Sequence, residues 1–134
     1  MTPFSLKIVT PDGLEYDGQA EELIVRTVAG DLGILAGHIN CVSPLGMGTA
    51  TVVIDGQKRY AACIGGMVSV VDGKVILVPT TFEWAEEIDL RRAEASQERA
   101  KAVLANSSAS DTEIRLAEAR LKRALVRKSA ASYK

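Results

Sequence analysis

Five arginines carry most of the chemistry open to this chain. Arg92 and Arg99 stand seven residues apart, and Arg120, Arg123 and Arg127 stand three and four apart. On helices, each set lies along one face. If those helices fold back as an antiparallel pair, the two stripes converge. Guanidiniums at short range repel one another unless an anion sits among them, and a polyphosphate suits that place because arginine forks bind phosphate oxygens bidentately. The plainer account is a solvated face balanced by neighbouring carboxylates. Glu118 and Lys122 are spaced for one such i,i+4 pair, worth about 0.3–0.5 kcal/mol. Spacing alone favours this second account.

Other chemistries find little support. The sequence has no GxxxxGK[ST] phosphate loop and no HExxH zinc motif. His38 is the single histidine, and no clear serine or cysteine nucleophile accompanies it. Glu86 and Glu87 fit the start of a helix, where carboxylates meet the positive end of the dipole. Cys41 and Cys63 show neither metal spacing nor a CxxC, and read as small buried residues in a reducing compartment. The expectation is a chain that catalyses nothing by itself, binds no metal and needs no cofactor. Nucleic acid is a poor partner, since the net charge is −1 and no aromatics interleave with the arginines.

The elements that must position the arginines fall into two parts. Residues 1–82 hold 8 acidic and 5 basic side chains (−3), and residues 83–134 hold 9 acidic and 11 basic (+2), which sum to the net −1. A length of 134 residues with 47% hydrophobic and 4% aromatic content implies about one domain's worth of chain and an aliphatic core. Phe4 to Val9 alternates apolar and polar residues, and Pro11-Asp12-Gly13 then supplies a turn. Asp55-Gly56 and Asp72-Gly73 each separate two β-rich runs, a strong hairpin signal. A sandwich or barrel follows from many short strands at this spacing.

Near Glu83 the pattern changes to helix. A first helix is expected from Ile88 to about Ala105, with a thin stripe of Leu90, Ala93, Ala100 and Leu104. Ser110 to Glu113 has the S-x-x-E form of a capping box. It opens a second helix expected to reach Ser129, with Ile114, Ala117, Leu121, Ala124 and Leu125 as its apolar face. Residues 1–84 are therefore read as a β-domain and 85–134 as an antiparallel helical hairpin, packed closely but weakly through alanines. The start MTPFSLKIVT lacks an export signal, and no stretch approaches the roughly 20 apolar residues that span a bilayer.

Two stretches resemble a known family. Gly30-Asp31-Leu32-Gly33-Ile34-Leu35-Ala36-Gly37-His38 resembles the G-x-LG-I-L-x-x-H segment of the ε subunits of rotary F-type ATP synthases. Ile88-Asp89-Leu90-Arg91-Arg92-Ala93 resembles their I/L-D-x-x-R-A motif. The order of β-domain and hairpin also agrees, over essentially the whole chain. The resemblance implies a ten-stranded β-sandwich followed by a two-helix hairpin, on the rotor stalk between the γ subunit and the c-ring. It implies a peripheral place at the cytoplasmic face of the bacterial membrane. It further implies that the opened hairpin enters the α/β head and blocks ATP hydrolysis, while ATP acts as a regulatory ligand of the folded form. By match to family positions, Glu83, Ile88, Asp89 and Ala93 would line the adenine, and Arg92, Arg99, Arg123 and Arg127 would contact the phosphates. Glu83 and Asp89 are equally well explained by helix entry and capping. The basic face of the second helix (Arg115, Arg120, Lys122, Arg123, Arg127 and Lys128) suits acidic surfaces on the α and β subunits. About 40 helical residues at about 1.5 Å each would reach around 60 Å when extended. Trp84 and the Asn106–Ala109 loop depart from the family pattern. A stand-alone nucleotide-binding module is the rival reading, and it would need neither the Gly30–His38 segment nor an interaction face on the sandwich.

Overall fold

Apolar residues at every second position build the N-terminal half. In β1 (Phe4–Thr10), Phe4, Leu6, Ile8 and Thr10 turn inward while their neighbours face out. The same alternation recurs through Leu23, Val25 and Thr27 of β3 (Glu22–Thr27). The computed structural model describes all of residues 1–134. Its other strands are β2 (Gly13–Ala20), β4 (Gly30–Ile34), β5 (Cys41–Pro44), β6 (Met47–Ile54), β7 (Gln57–Val71) and β8 (Lys74–Trp84). They pair in the order β2-β1-β8-β7-β6-β3-β4, with β5 on the second half of β7. One core of 18 buried residues takes Leu6 and Ile8 from one end of that order and Leu23, Val25 and Ile34 from the other. The sheet therefore folds over on itself as a sandwich.

Both Asp-Gly pairs make the expected turns. Asp55 and Gly56 have φ of 50° and 75°, and Asp72 and Gly73 have 49° and 80°. Positive φ at both central residues is the type I′ signature. Cys41 and Cys63 are free thiols, and burial pushes the Cys63 thiol up to about 12.

Eight continuous strands replace the ten expected, because β7 and β8 each run unbroken through both layers. Their buried face changes phase on the way. Ala61 and Cys63 are buried in the first half of β7, and Val68 and Val70 in the second. In β8 the switch is from Val75 and Leu77 to Phe82 and Trp84. An odd-to-even change is what a strand shows when its other face turns to the core. The bend sits at Gly65-Gly66, with φ of 68° and 94°. A Cβ on Gly66 would stand 2.0 Å from the carbonyl oxygen of Val78.

Beyond Trp84 the chain makes a 3₁₀ turn at Ala85–Glu87, and Ile88 remains extended. The first helix, α1, spans Leu90–Ala105 and so begins two residues later than expected, because Asp89 caps it: its carboxylate accepts from the Arg92 N–H at 3.1 Å. The second, α2, spans Asp111–Ala131, two residues longer than expected. Its capping box forms in both directions, Glu113 N to Ser110 Oγ at 3.2 Å and Ser110 N to Glu113 Oε1 at 3.3 Å. The helix α2 lies on β6 and β7, and α1 lies on α2.

The buried line of α1 is Ala93, Gln97 and Ala100, and that of α2 is Ala117, Ala124, Ala130 and Ala131. Leu90, Leu104 and Leu125, expected on the stripes, are 41%, 36% and 45% exposed. Alanine-lined helices approach too closely to seat a leucine between them, so these three stay on the flanks. Ile114 and Leu121 are half-buried. No Glu118–Lys122 ion pair forms; Lys122 lies beside Met47 and Leu125 instead.

Gly66→Ala is expected to destabilise the sandwich by about 3 kcal/mol, from positive-φ strain and the collision with Val78. Gly13→Ala, whose Cβ would meet nothing within 4 Å, should cost less. Urea unfolding of the two variants checks the difference; equal losses would contradict the role given to the bend.

Candidate functional site

The foot of the hairpin gathers charge from five stretches of chain. The end of β8 contributes Glu83, the link to α1 contributes Glu87 and Asp89, and α1 contributes Arg92, Ala93 and Arg99, all facing Arg127 of α2 across a cleft of about 580 Å³. That size is ordinary for a small-molecule site, about 300–1,000 Å³. Asp12, from the β1–β2 turn, closes the acidic rim. A second cleft of about 770 Å³ opens between the helices and shares Ser96, Arg99 and Arg127 with the first. Arg120 and Arg123 line it.

The arginines read from spacing therefore do converge: Arg92, Arg99 and Arg127 in the first cleft, and Arg99, Arg120, Arg123 and Arg127 in the second. Glu83 accepts from Arg127 Nε at 2.5 Å, with both side chains about one-third exposed. Asp89 serves as the α1 cap while its carboxylate borders the same cleft. Ile88 is buried, with its side chain against Ala62, Ala130 and Ala131. Lys128 donates to Gln97 Oε1 at 2.9 Å. Arg115 is exposed on the outer face of α2. His38 lies in the loop after β4, its Nδ1 2.8 Å from the Ile39 carbonyl oxygen, and lines neither cleft.

Two supports escaped the sequence. Arg59 of β7 donates from Nη2 to Glu86 Oε1 at 2.6 Å and stacks its guanidinium 3.8 Å over the Trp84 ring. This explains Trp84: it is 3% exposed, edge-on to Phe82, and part of a clamp on the link into the hairpin. At the same foot of the hairpin, just past the C-terminus of α2, Tyr133 stacks on Tyr60 with centroids 4.1 Å apart, and Lys134 Nζ donates to the Ile88 carbonyl at 2.6 Å. Both sets join residues more than twenty positions apart, and no local pattern announces them.

Charge follows this geometry. The hydrogen bond from Arg59, and then one from its own backbone, hold the Glu86 carboxyl below its ordinary range. Glu15 is shifted the other way, by burial and then by Glu87 and Asp12. Asp12, Glu83, Glu87 and Asp89 make the acidic side of the first cleft, and Arg92, Arg99 and Arg127 its basic side.

A β-sandwich followed by a folded, cationic two-helix hairpin defines the class of architecture. Family models for the ATP synthase delta/epsilon chain agree, the beta-sandwich domain matching residues 3–85 and the long alpha-helix domain residues 86–132. The ATP synthase epsilon chain of Bacillus velezensis is 44% identical over 127 residues, 95% of this chain and 96% of that one. That of Ruminococcus albus is 40% identical over 135 residues, covering 100% of both. Among solved structures, a chain of the Euglena gracilis mitochondrial ATP synthase (OSCP, F1 and c-ring) superposes with a TM-score of 0.84 at 24% identity, over 100% of this chain and 83% of that one. A chain from the central stalk and c-ring of the Tetrahymena thermophila enzyme does so with a TM-score of 0.61 at 14% identity, over 95% of each. At those identities the likeness is one of fold. The chain belongs to the ATP synthase epsilon-chain family, that of a subunit without catalytic activity of its own. No helix is long and apolar enough to cross a membrane.

The Glu86 shift has a definite sign. A carboxyl whose folded value is depressed adds stability that is present above its ordinary value of 4.5 and is lost as the pH falls through the folded value. The thermal midpoint of the wild type should therefore exceed that of Glu86→Gln at pH 7, and the gap should close below about 4.5. A gap independent of pH would show that Arg59 does not hold the ionised carboxylate.

Proposed function

We propose that this chain couples the γ subunit to the c-ring on the rotor of a bacterial ATP synthase, at the cytoplasmic face of the membrane, and that its hairpin is an ATP-responsive brake on hydrolysis. One observation carries the second part. Glu83, Asp89, Arg92, Ala93, Arg99 and Arg127 line a single cleft only while the hairpin is folded onto the sandwich. A ligand of that cleft therefore binds one conformation and stabilises it by its differential affinity.

The family resemblance assigns the base to the end near Glu83, Ile88, Asp89 and Ala93 and the phosphates to the arginines. The asymmetric cleft supports that direction: its arginines can donate to polyanion oxygens, and its acidic rim can accept from an exocyclic amine. Opening the hairpin breaks Arg127 from Glu83 and Lys128 from Gln97. These two cations then join Arg115, Arg120, Lys122 and Arg123, which no ion pair holds, in facing acidic surfaces on the α and β subunits. Ligand binding and inhibition draw on the same side chains and so exclude each other.

Isothermal titration of the purified chain with ATP is expected to show saturable binding; no heat up to millimolar nucleotide removes the ATP reading and leaves the stalk role standing. In the reconstituted complex, a chain lacking residues 88–134 should raise ATP hydrolysis severalfold. An unchanged rate would remove the inhibitory role.

A further inference from the structure

Past the last turn of α2, two side chains reach back to the sandwich and to the link. Backbone hydrogen bonds carry the helical path beyond α2 itself, from Tyr133 N to Ala130 O at 3.1 Å and from Lys134 N to Ala131 O at 3.2 Å. The Tyr133 ring then stacks on Tyr60 of β7, with centroids 4.1 Å apart and planes within 15° of parallel. Tyr60 and Ala62 stand two apart on one strand and so face the same side. Ala62 packs with Ile88, Ala130 and Ala131. The aromatic stack therefore extends the apolar contact between hairpin and sandwich.

Lys134 acts on the link. Ile88 is 2% exposed and extended rather than helical. Its carbonyl oxygen accepts no backbone N–H, since the bonds of α1 begin with Ala93 N to Asp89 O at 3.1 Å. Lys134 Nζ supplies the missing donor at 2.6 Å. A buried carbonyl left without a partner is costly. Lys134 thus completes the corner of chain that carries Asp89, which caps α1 and lines the first cleft. Neither contact survives if α2 leaves β7.

We propose that Tyr133 and Lys134 form a latch that locks the hairpin onto the sandwich and positions the Ile88–Asp89 corner of the first cleft. The latch presupposes the reading of the hairpin as an arm that opens, and it is what holds that arm shut. Alanine contacts bury little area, so the stack and the charge-assisted hydrogen bond carry a large share of the docking. Neither side chain lines either cleft, so both can be replaced without touching a cleft residue.

The test is hydrogen exchange of the purified full-length chain without nucleotide, read by mass spectrometry. In Tyr133→Ala/Lys134→Ala, the amides of α1 and α2 should exchange about tenfold faster, because helices of this length are marginal once undocked and open through a common step. Strands β1 and β3 should keep the wild-type rate. Tyr133→Phe keeps the ring and should stay within about twofold of wild type. Arg115→Ala alters the exposed outer face of α2 and should do the same. Faster exchange confined to the end of α2, or none at all, overturns the latch, and so does an equal rise in the sandwich. In the reconstituted complex, the double variant should hydrolyse ATP more slowly than wild type, since the open form gains population. Unchanged hydrolysis beside faster exchange in α1 removes the brake reading and keeps the latch.

Discussion

Four apolar side chains set how firmly the two halves of this molecule are joined. Ala62, Ile88, Ala130 and Ala131 form the seam between the sandwich and the foot of the hairpin, with Val126 alongside. The sandwich, by contrast, holds itself together with 18 buried residues. Three alanines bury little area, and burial energy scales with area. The contacts around the seam are correspondingly modest. The Arg127–Glu83 pair is partly solvated, so screening limits it to about 1 kcal/mol, and the Tyr60–Tyr133 stack adds about 0.5–1.5 kcal/mol. The hairpin is therefore joined to the sandwich far more weakly than the sandwich is held together.

The clefts depend on that seam. None of their walls exists in one stretch of chain: the acidic rim belongs to the sandwich edge and the link, and the basic wall belongs to two helices that meet only when folded back. The folded hairpin therefore holds arginines together at an electrostatic cost. The Arg59 clamp on Trp84 and Glu86 fixes where the link leaves the sandwich, while Tyr133 and Lys134 fasten the C-terminal end of α2. Both act on the segment around Ile88, which joins the cleft to the seam.

Much of this was legible along the chain. Period-two burial in β1 and β3, the two Asp-Gly turns and the Ser110–Glu113 box are local physics, decided within a few residues, and the structure has them where the sequence puts them. Elsewhere, neighbours overrode the local pattern. Leu90, Leu104 and Leu125 keep a helical period but lie outside, because contact between alanines sets the helix spacing. Ile88 looks like a helix residue, yet Asp89 captures the first N–H groups and leaves it extended. The ten expected strands became eight, because the glycines at 65 and 66 bend β7 without ending it. The partner that gives Trp84 its role, Arg59, lies twenty-five positions earlier in the chain and across its ring in space.

By itself the sequence determined the element types, the turn chemistry, the helix start at Ser110 and the stripes of arginine, because each depends on dihedral preference and periodicity over a single helix or strand. Only the tertiary structure decided which arginines share a cleft, which acid faces Arg127, and which are left without a partner. Those outcomes depend on the packing of α2 against β6 and β7, and electrostatic and van der Waals forces act through space between residues that the chain keeps far apart.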